Sequence, residues 1–356
     1  MQVIKATNHS ILFNENCYTY LNDILLVTTF SKVFILVDEN TASFCLPHFL
    51  SNITTEINLE IIELDAGEQF KNIDTCTQLW QTLLDLGGDR KSLIINLGGG
   101  VITDIGGFVA STFKRGIAFI NVPTTLLAMV DAAIGGKNGV DLGTLKNQIG
   151  CICEPKAVLV DTSFLETLPT QQMRSGLAEM LKHGLISDKN YWDKFKTLSS
   201  LNTEDLDALI HQSILIKNKI VTEDLTETGL RKTLNFGHTL GHAIESYCLQ
   251  NQEKESLSHG HAVAIGMILA SFLSKEKELL SKEEYHEIKY IINEYFDTVD
   301  FSENDIEQIL KLLIFDKKNE FGKVQFVLLT KIGNCVINQF CDDKLIKDAF
   351  FDYNYK

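Results

Sequence analysis

Residues 92–110 read S-L-I-I-N-L-G-G-G-V-I-T-D-I-G-G-F-V-A, and this stretch decides the fold of the first half of the chain. An apolar run typical of a buried strand leads into three glycines, and a helix-like pattern follows them. Such a turn lets backbone N–H groups approach a pyrophosphate at the N-terminus of the helix. Gly98 and Gly100 fit the dinucleotide-binding fingerprint, but Thr103 stands at its third glycine position. The stretch predicts a nucleotide-binding turn in an α/β sheet, with a simple tight turn as the alternative.

More strands are predicted on both sides of this turn. Short runs rich in β-branched and aliphatic residues occur at Val33–Val37, Ile61–Leu64, Phe119–Val122 and Val158–Val160. Residues Asn72–Leu86 have helical spacing and end at two glycines, a typical stop signal. Doubly wound sheets bind ligands at the carboxyl ends of their strands. Asp38, which follows the first strand, is therefore predicted either to accept a hydrogen bond from a ribose hydroxyl or to cap the next helix.

The second half of the chain has mainly helical periodicity, beginning at about Leu168. Helices are predicted over Arg174–His183, His211–Val221, Leu280–Phe296 and Asp305–Ile314, and a small hairpin around Gly333 and Asn334. This change of pattern divides the chain into an α/β domain, residues 1–167, and a mostly helical domain, residues 168–356.

Four histidines lie within the segment Arg231–Val263 of the helical half. His238 and His242 are four residues apart, so on a helix both imidazoles point from one face. His259 and His261 follow after a short polar gap. Histidines presented in this way, together with a carboxylate from elsewhere, form a metal site of borderline-soft ligands, most often for zinc.

Two lysines and an amide are predicted to lie on glycine-bearing loops between the strands Phe119–Val122 and Val158–Val160. Lys137 comes after two glycines, and Lys146 and Asn147 lie a few residues further on. Together they resemble a phosphate cradle. The alternative, solvated loop lysines, is the more usual explanation for either lysine alone.

Composition narrows the range of partners and compartments. The 356-residue chain has a formal charge of −15, which disfavours nucleic acid and anionic membranes, although solubility alone would also explain that charge. Its eight cysteines are dispersed without a C-x-x-C pair, as is typical of a reduced cytosolic protein. The N-terminus lacks a signal pattern, and the longest apolar run, Ala262–Leu273, is too short to span a bilayer. We therefore expect a soluble cytoplasmic protein with a small-molecule substrate.

Several longer motifs occur together over roughly Asp38 to Gly333. They are G-G-G-V-x-x-D-x-x-G-F, V-P-T-T-L-L-A-x-V-D-x-x-x-G-G-K, L-x-K-N-x-I-G, S-G-L-A-E-x-x-K-x-G, E-T-G-L-R, L-N-F-G-H-T-x-G-H-A-I-E, H-G-x-A-V-A-I-G-M and D-K-K. In type and order they resemble the 3-dehydroquinate synthases, members of the sugar-phosphate cyclases. The resemblance implies a Rossmann-like NAD-binding domain, a helical metal- and substrate-binding domain, and an active site in the cleft between them.

The activity that the resemblance implies is that of a carbon–oxygen lyase acting on phosphates. The substrate would be 3-deoxy-D-arabino-heptulosonate 7-phosphate, and the products 3-dehydroquinate and phosphate. Transient oxidation by NAD, β-elimination of phosphate, re-reduction and aldol closure would make up the reaction. The alternatives are another sugar-phosphate cyclase, or an NAD- and metal-dependent polyol dehydrogenase that would accumulate NADH.

The resemblance also implies roles for individual residues. The metal, Zn²⁺ or alternatively Co²⁺, would be held by Glu179, His238 and His259, which replaces the pairing of His238 with His242 that spacing favours. Catalytic roles fall to Lys182, Glu227, Asn235 and His242. Substrate contacts fall to Arg115, Asp131, Lys137, Asn147, Lys217, Arg231 and Lys317. NAD contacts fall to Asp38, Asn40, Glu68, Lys71, Gly100, Val101, Ile102, Thr103, Asp104, Thr124, Thr125, Lys137, Lys146, Phe164, Leu165, Glu166 and Thr167.

Two further expectations come from the same resemblance. Arg115 would reach the active site of a partner subunit, which requires a homodimer. His261 stands where the family usually has glutamate, a departure that bears on metal affinity through contacts around the ligands, or through His261 as a substitute ligand.

Overall fold

The computed structural model describes residues 2–143, 145–200, 203–251, 254, 256–313 and 324–355. Lys317, an implied substrate contact, lies outside these ranges. The chain divides into two compact units, Met1–Pro169 and Thr170–Lys356. Within the described ranges, no helix combines the length and the apolar character that crossing a membrane requires.

A seven-stranded sheet forms the centre of the first unit. The strands of this unit are β1 (Ile4–Lys5), β2 (Ser10–Phe13), β3 (Val33–Asp38), β4 (Leu59–Leu64), β5 (Leu93–Gly98), β6 (Ala118–Pro123), β7 (Lys137–Leu142), β8 (Leu145–Ile152) and β9 (Ala157–Val160). The sheet has the order β1-β2-β9-β6-β5-β3-β4, and all of its neighbouring strands are parallel except β1 and β2. The α/β class and the five strands predicted in this half of the chain are confirmed.

Helices cover this sheet and connect its strands. They are α1 (Glu15–Val27), α2 (Glu39–Phe44), α3 (Leu46–Ser51), α4 (Ile73–Asp85) and α5 (Gly100–Thr112). Asn72 caps the predicted helix α4 by accepting a hydrogen bond from the Thr75 amide at 3.0 Å. Phe34 and Ile94 of the sheet pack with Leu79 of α4 and Ile105 of α5 in one buried cluster. Burying each such side chain contributes about 1.5–3 kcal/mol.

The order of the strands creates a ligand-binding position in this unit. From β3 the chain passes to β4 on one side, and it then returns past β3 to β5, β6 and β9 on the other. In open α/β sheets, ligands bind outside the carboxyl ends of the strands where the order reverses. That point lies between β3, which ends at Asp38, and β5, which ends at Gly98.

The segment that carries the predicted phosphate cradle is a hairpin, and its prediction as loops was wrong. Strands β7 and β8 pair antiparallel, with Lys137 opposite Ile152. The amide group of Asn138 donates to the carbonyls of Gly136 and Cys153, at 2.9 and 2.8 Å. The hairpin sequence lacks the alternating apolar pattern of a strand, and these hydrogen bonds stabilise it instead.

The second unit is mainly helical and contains one small hairpin. Its helices are α6 (Thr170–Ser187), α7 (Lys189–Lys194), α8 (Thr203–Glu223), α9 (His238–Gln250), α10 (His259–Glu276), α11 (Lys282–Tyr295), α12 (Glu303–Leu313) and α13 (Asp343–Asn354). The predicted hairpin is formed by β10 (Gln325–Lys331) and β11 (Asn334–Phe340). The helical character predicted for this half of the chain is confirmed.

Glycines bring three helices of this unit unusually close together. A Cβ atom on Gly266 of α10 would lie 2.0 Å from the carbonyl oxygen of Gly237, the residue before α9. A Cβ atom on Gly260 of α10 would lie 2.3 Å from the Cα of Ser175 on α6. Because the opposing atoms belong to the backbone, these helices can approach so closely only where a side chain is absent. His238 and His259, the first residues of α9 and α10, lie at these approaches.

Candidate active site

In the first unit, most of the residues implied in NAD binding follow the carboxyl ends of parallel strands. Asp38 ends β3, and Glu68 and Lys71 follow β4. The glycine turn (residues 98–103) lies at the end of β5, Thr124 follows β6, and Phe164 follows β9. The carboxyl ends of parallel strands lie along one edge of a sheet, so the fold gathers these residues on the side where ligands bind. Lys137 and Lys146 instead belong to the hairpin β7–β8.

The glycine turn is tightly packed at the start of α5. A Cβ atom on Gly98 would lie 2.5 Å from the Cβ of Ile102, which excludes any larger residue. The Thr124 amide donates to the Gly98 carbonyl at 3.0 Å, and a Cβ atom on Gly99 would lie 3.0 Å from Thr125. The Thr103 hydroxyl donates to the Gly100 carbonyl at 3.1 Å. The structure thus brings Thr124 and Thr125 to the turn formed by residues 98–103, whose backbone opens the helix.

Asp38 caps the helix that follows it, one of its two predicted roles. Its Oδ1 accepts a hydrogen bond from the Thr41 amide at 2.8 Å, and the Thr41 hydroxyl accepts from the Asp38 amide at 2.9 Å. This reciprocal pair forms the start of α2, and Asn40 is exposed in its first turn. The cap occupies one carboxylate oxygen, so it is compatible with a ligand contact at the other.

Four implied NAD contacts form a single chain of ion pairs. The Lys71 ammonium lies 2.7 Å from Asp104 Oδ2 and 3.8 Å from Glu68 Oε1, and the Lys146 ammonium lies 3.6 Å from the same Glu68 oxygen. Burial alone would lower the pKa of Lys71, but the carboxylates of Asp104 and Glu68 outweigh it and raise that pKa above its ordinary value. Lys71 is therefore a buried cation at the start of α5.

A polar network beside Phe164 was not predicted from the sequence. Asp161 accepts hydrogen bonds from Tyr18 at 2.5 Å and from Ser163 at 2.7 Å, and it lies 3.1 Å from His48 Nε2. The His48 ring packs edge-on against buried Phe164, with 5.6 Å between ring centroids. Leu165 is half-buried, whereas Glu166 and Thr167 are exposed. The position of Asp161 directly after β9 was the available signal, since the same logic singled out Asp38.

Three of the four implied substrate contacts of this unit lie on strained or irregular backbone, whereas Lys137 begins the strand β7. Asn147 has φ 52° and its amide donates to Asp141 Oδ1 at 2.6 Å. Arg115 has φ 69° and lies in the turn after α5, while Asp131 lies in a single π-helical turn, Ala128–Ala132. Positive φ values outside glycine cost about 1–3 kcal/mol and cluster at functional sites.

In the second unit, Glu179 and two histidines converge. The Glu179 carboxylate on α6 is completely buried. Its Oε1 lies 3.2 Å from Nε2 of His238 and 3.9 Å from Nε2 of His259, and its Oε2 is paired with the Lys182 ammonium. His242 completes a set of three histidines whose ligand nitrogens lie within 4.8 Å of one another. The structure therefore brings together both the implied ligand set and the pair that helical spacing favours.

Both implied imidazole ligands have the tautomer that a metal requires. His238 Nδ1 lies 3.1 Å from the Phe236 carbonyl oxygen, and His259 Nδ1 lies 3.2 Å from Glu245 Oε2. Because a carbonyl oxygen and an ionised carboxylate only accept, each Nδ1 donates, and in the neutral imidazole each Nε2 then presents its lone pair towards Glu179.

Protonation states in this cluster also suit a cation. Burial would raise the pKa of Glu179, but the positive charge beside it, chiefly the Lys182 ammonium, outweighs burial and holds the pKa well below its ordinary value. Burial, and then the Lys182 ammonium, lower the pKa of His238. An ionised carboxylate and a neutral imidazole are the forms that bind metals.

The distances are also those of a metal site. Two atoms bound to one zinc ion at about 2.1 Å can be at most about 4.2 Å apart. The separations of 3.2 and 3.9 Å between Glu179 Oε1 and the two imidazoles satisfy this limit. Glu179 Oε1, the oxygen that faces both imidazoles, accepts no hydrogen bond of good geometry from the described residues. The donor set of one carboxylate and two imidazoles thus fits a zinc-like cation.

The remaining implied residues of this unit lie before α9 or within α8. Glu227 has φ 60°, and its Oε1 accepts a hydrogen bond from the Asn235 amide group at 2.8 Å. Arg231 is 2% exposed, and its guanidinium donates to the Leu225 carbonyl at 2.7 Å. Lys217 is buried on α8. Buried cations of this kind are typical of sites for anionic groups.

His261 has a separate contact. Its Nε2 lies 2.7 Å from the carbonyl oxygen of Asp297, so that nitrogen carries a proton and donates. Its ring packs against Phe296 with 5.7 Å between centroids. The lone pair is then on Nδ1, but among the described residues the groups of side chains that could share a cation do not include His261, so the structure argues against it as a substitute ligand.

Comparison with known proteins assigns the family. A family model described as the N-terminal part of 3-dehydroquinate synthase matches residues 61–175, and one for the C-terminal part matches residues 176–319. The 3-dehydroquinate synthase of Parabacteroides distasonis is 42% identical over 349 residues, which cover 98% of each chain. The chain belongs to the 3-dehydroquinate synthase family.

Solved structures agree with this membership. A crystal structure of 2-deoxy-scyllo-inosose synthase complexed with carbaglucose-6-phosphate, NAD⁺ and Co²⁺ is similar with a TM-score of 0.85 and 25% identity, covering 99% of this chain and 100% of that one. A probable glycerol dehydrogenase from Sinorhizobium meliloti shares the fold at 13% identity, with a TM-score of 0.65 and coverage of 100% and 98%. The 3-dehydroquinate synthase fold is therefore also that of certain dehydrogenases.

One residue beside this cluster was not singled out from the sequence. Glu245 closes the motif L-N-F-G-H-T-x-G-H-A-I-E and lies seven residues after His238 on α9. Positions i, i+4 and i+7 share one face of a helix, so His238, His242 and Glu245 line the same side. That periodicity was the available signal.

Proposed function

We propose that this chain is a 3-dehydroquinate synthase, which converts 3-deoxy-D-arabino-heptulosonate 7-phosphate into 3-dehydroquinate and phosphate. The observation that carries the proposal is the convergence of Glu179, His238 and His259 in a chain that belongs to this family. It would be a carbon–oxygen lyase of the shikimate pathway, which leads to chorismate and the aromatic amino acids.

The proposal includes NAD and a divalent cation, Zn²⁺ or alternatively Co²⁺. When bound, NAD supplies a reversible oxidation and the cation supplies a Lewis acid. Together they make the proton on the carbon next to the phosphate-bearing carbon more acidic. Glu179, His238 and His259 would hold the cation. The glycine turn, Asp38 and the buried Lys71 ammonium would hold NAD, the lysine by its charge and the turn by its backbone amides.

The chain's own side chains would bind and orient the substrate. Lys137, Asn147 and Asn235 would bind the phosphate, and Lys217 and Arg231 would bind the carboxylate. The hydrogen bond from the Asn235 amide group to Glu227 supports this assignment, because it fixes the orientation of Asn235. Burial of Lys217 and Arg231 supports it too, since a desolvated cation binds an anion more strongly than an exposed one does.

Proton transfer would fall to His242 at the substrate hydroxyl. It lies on the same face of α9 as His238, with 5.2 Å between the two ring centroids. A neutral imidazole within reach of the substrate hydroxyl is a suitable general base. Glu227, whose carboxylate accepts a hydrogen bond from the Asn235 amide group, would also take part in proton transfer. Lys182, whose ammonium is paired with Glu179, would contact the substrate.

We also propose a cytoplasmic homodimer. The eight cysteines are free thiols, which suits a reducing compartment. Lys114 and Arg115 have successive left-handed φ values of 53° and 69°, a strained turn of the kind found where a side chain is presented to a ligand or a partner. Arg115 would reach the partner's active site, and a size measurement in solution tests the dimer.

The activity is tested by incubating the purified protein with Zn²⁺, a catalytic amount of NAD and the heptulosonate phosphate. We expect phosphate release in large molar excess over NAD, with 3-dehydroquinate identified by NMR. The rival is a polyol dehydrogenase, which the shared fold with the glycerol dehydrogenase makes worth testing. Conversion of the added NAD into an equal amount of NADH without phosphate release would support that rival and overturn the proposal.

A further inference from the structure

The two imidazoles of the proposed metal site are held by different kinds of acceptor. His238 Nδ1 faces the main-chain carbonyl of Phe236, which no substitution removes. His259 Nδ1 faces the side chain of Glu245 on a different helix, at 3.2 Å. The tautomer of His259 therefore depends on one replaceable residue, and that of His238 does not.

Glu245 is placed for this task by its helix. It is 5% exposed, and a carboxylate is rarely buried to this degree without a specific partner. Its position, seven residues after His238, directs it to the α10 side of α9, where Gly241 allows close contact with Ala262. A Cβ atom on Gly241 would lie 3.0 Å from the Ala262 carbonyl oxygen, so the two helices are nearly in backbone contact beside the pair.

We propose that Glu245 is a positioning residue that fixes the ring orientation of His259 and the proton on its Nδ1. This inference rests on the proposed function, in which His259 Nε2 binds the cation. An ionised carboxylate has only acceptor oxygens, so the adjacent ring nitrogen must donate and Nε2 is left with its lone pair. Partners of this kind change metal affinity by about 10- to 100-fold when they are removed.

The test compares Glu245→Ala and Glu245→Gln with a matched control, Glu287→Ala. Glu287 is a carboxylate of the same unit that accepts a hydrogen bond from a ring N–H, that of Trp192, at 2.8 Å. Zinc affinity is measured by competition with a chelator. We expect Glu245→Ala to weaken zinc binding about 10- to 100-fold. Glu245→Gln keeps an acceptor oxygen and should recover most of the loss, and Glu287→Ala should bind zinc as the wild type does.

A second readout uses metal-free protein and does not depend on the cation. In ¹⁵N-histidine-labelled protein, the His259 signal, assigned through His259→Asn, should report a proton on Nδ1. Glu245→Ala should convert it to a mixture of tautomers, whereas Glu287→Ala should leave it unchanged.

The outcomes separate this inference from the proposed function. Unchanged zinc affinity in Glu245→Ala, alongside lost zinc in Glu179→Ala, would overturn the role of Glu245 and leave the metal site intact. Retained zinc in Glu179→Ala would overturn the metal site, and the NMR signal would then decide the role of Glu245. If the proton stays on His259 Nδ1 in Glu245→Ala, the positioning role of Glu245 is overturned.

Discussion

Replacing Gly260 by alanine tests how the fold positions the metal ligands. The new Cβ atom would lie 2.3 Å from the Cα and 2.6 Å from the carbonyl oxygen of Ser175. Ordinary contact begins at 3.4 Å, so the shortfall to the Cα is 3.4 − 2.3 = 1.1 Å. Both opposing atoms belong to the backbone of α6, so rotation of a side chain cannot relieve the clash.

The helices must therefore separate, and the metal ligands move with them. His259 directly precedes Gly260, and Glu179 lies one turn after Ser175 on α6. A displacement of about this size would take Glu179 Oε1 and His259 Nε2, now 3.9 Å apart, beyond the roughly 4.2 Å that two zinc bonds can span. We expect zinc binding to weaken by at least about tenfold, which is about 1.4 kcal/mol.

Stability should fall as well. An alanine in a helix is ordinarily up to about 1 kcal/mol better than glycine, but overpacking of this kind costs about 1–3 kcal/mol. A net loss lowers Tm by about 2–4 °C for each kcal/mol in a domain of this size. Calorimetry of the metal-free protein and chelator competition for zinc measure the two effects.

Glu276→Ala is the control for this experiment, because it places alanine at an exposed position of the same helix. It should leave zinc affinity unchanged. Gly260→Ala protein with a raised Tm and wild-type zinc affinity would refute the argument that backbone contact between α6 and α10 sets the ligand distance.

Two further predictions concern buried charges outside the metal cluster. Burial raises the pKa of Asp305, but hydrogen bonds from Lys254 and Tyr247 outweigh it and lower the pKa from 3.8 to about 2. Asp305→Asn should therefore lower the free energy of unfolding by on the order of 2 kcal/mol at pH 7. This stabilisation is present above the unfolded-state pKa and is lost as Asp305 becomes protonated. The difference in free energy of unfolding between the wild type and Asp305→Asn should therefore shrink as pH falls from about 4 to 2. Denaturant titrations in which that difference stays constant would contradict this prediction. Lys71→Met should cost about 3–5 kcal/mol by leaving the half-buried Asp104 carboxylate unpaired, and adding Asp104→Leu should restore most of the loss. An unaltered denaturation midpoint in the single variant would contradict the second prediction.

Local patterns were enough to predict five of the seven strands of the sheet and several long helices, but not α1 or α13. The apolar runs of β3 and β5 are continuous because both faces of these strands are buried, and the glycines at residues 98–100 mark where the chain turns into a helix. The hairpin β7–β8 was missed because it depends on contacts that no short window contains. The Asn138 amide group donates a hydrogen bond to the Cys153 carbonyl, and the Asp141 backbone amide donates one to the Lys71 carbonyl.

In the metal cluster, too, residues close together in sequence could be predicted from local spacing, and the distant one could not. Helical spacing placed His238 and His242 on one face, as the structure has them. It could not identify Glu179, which lies on α6, far away in sequence, and reaches the histidines only because Gly260 packs against Ser175. The motif resemblance supplied that residue, since motifs carry information about distant contacts that periodicity lacks.

Metal content in a set of single variants tests most directly whether Glu179, His238 and His259 share one cation. Wild-type protein and the alanine variants of these three residues and of His242 would be loaded with Zn²⁺, desalted and measured by inductively coupled plasma mass spectrometry. We predict one zinc per chain in the wild type and in His242→Ala, and almost none in the other three variants. Zinc retained by Glu179→Ala but lost from His242→Ala would show that the histidines alone form the site, and would contradict the account.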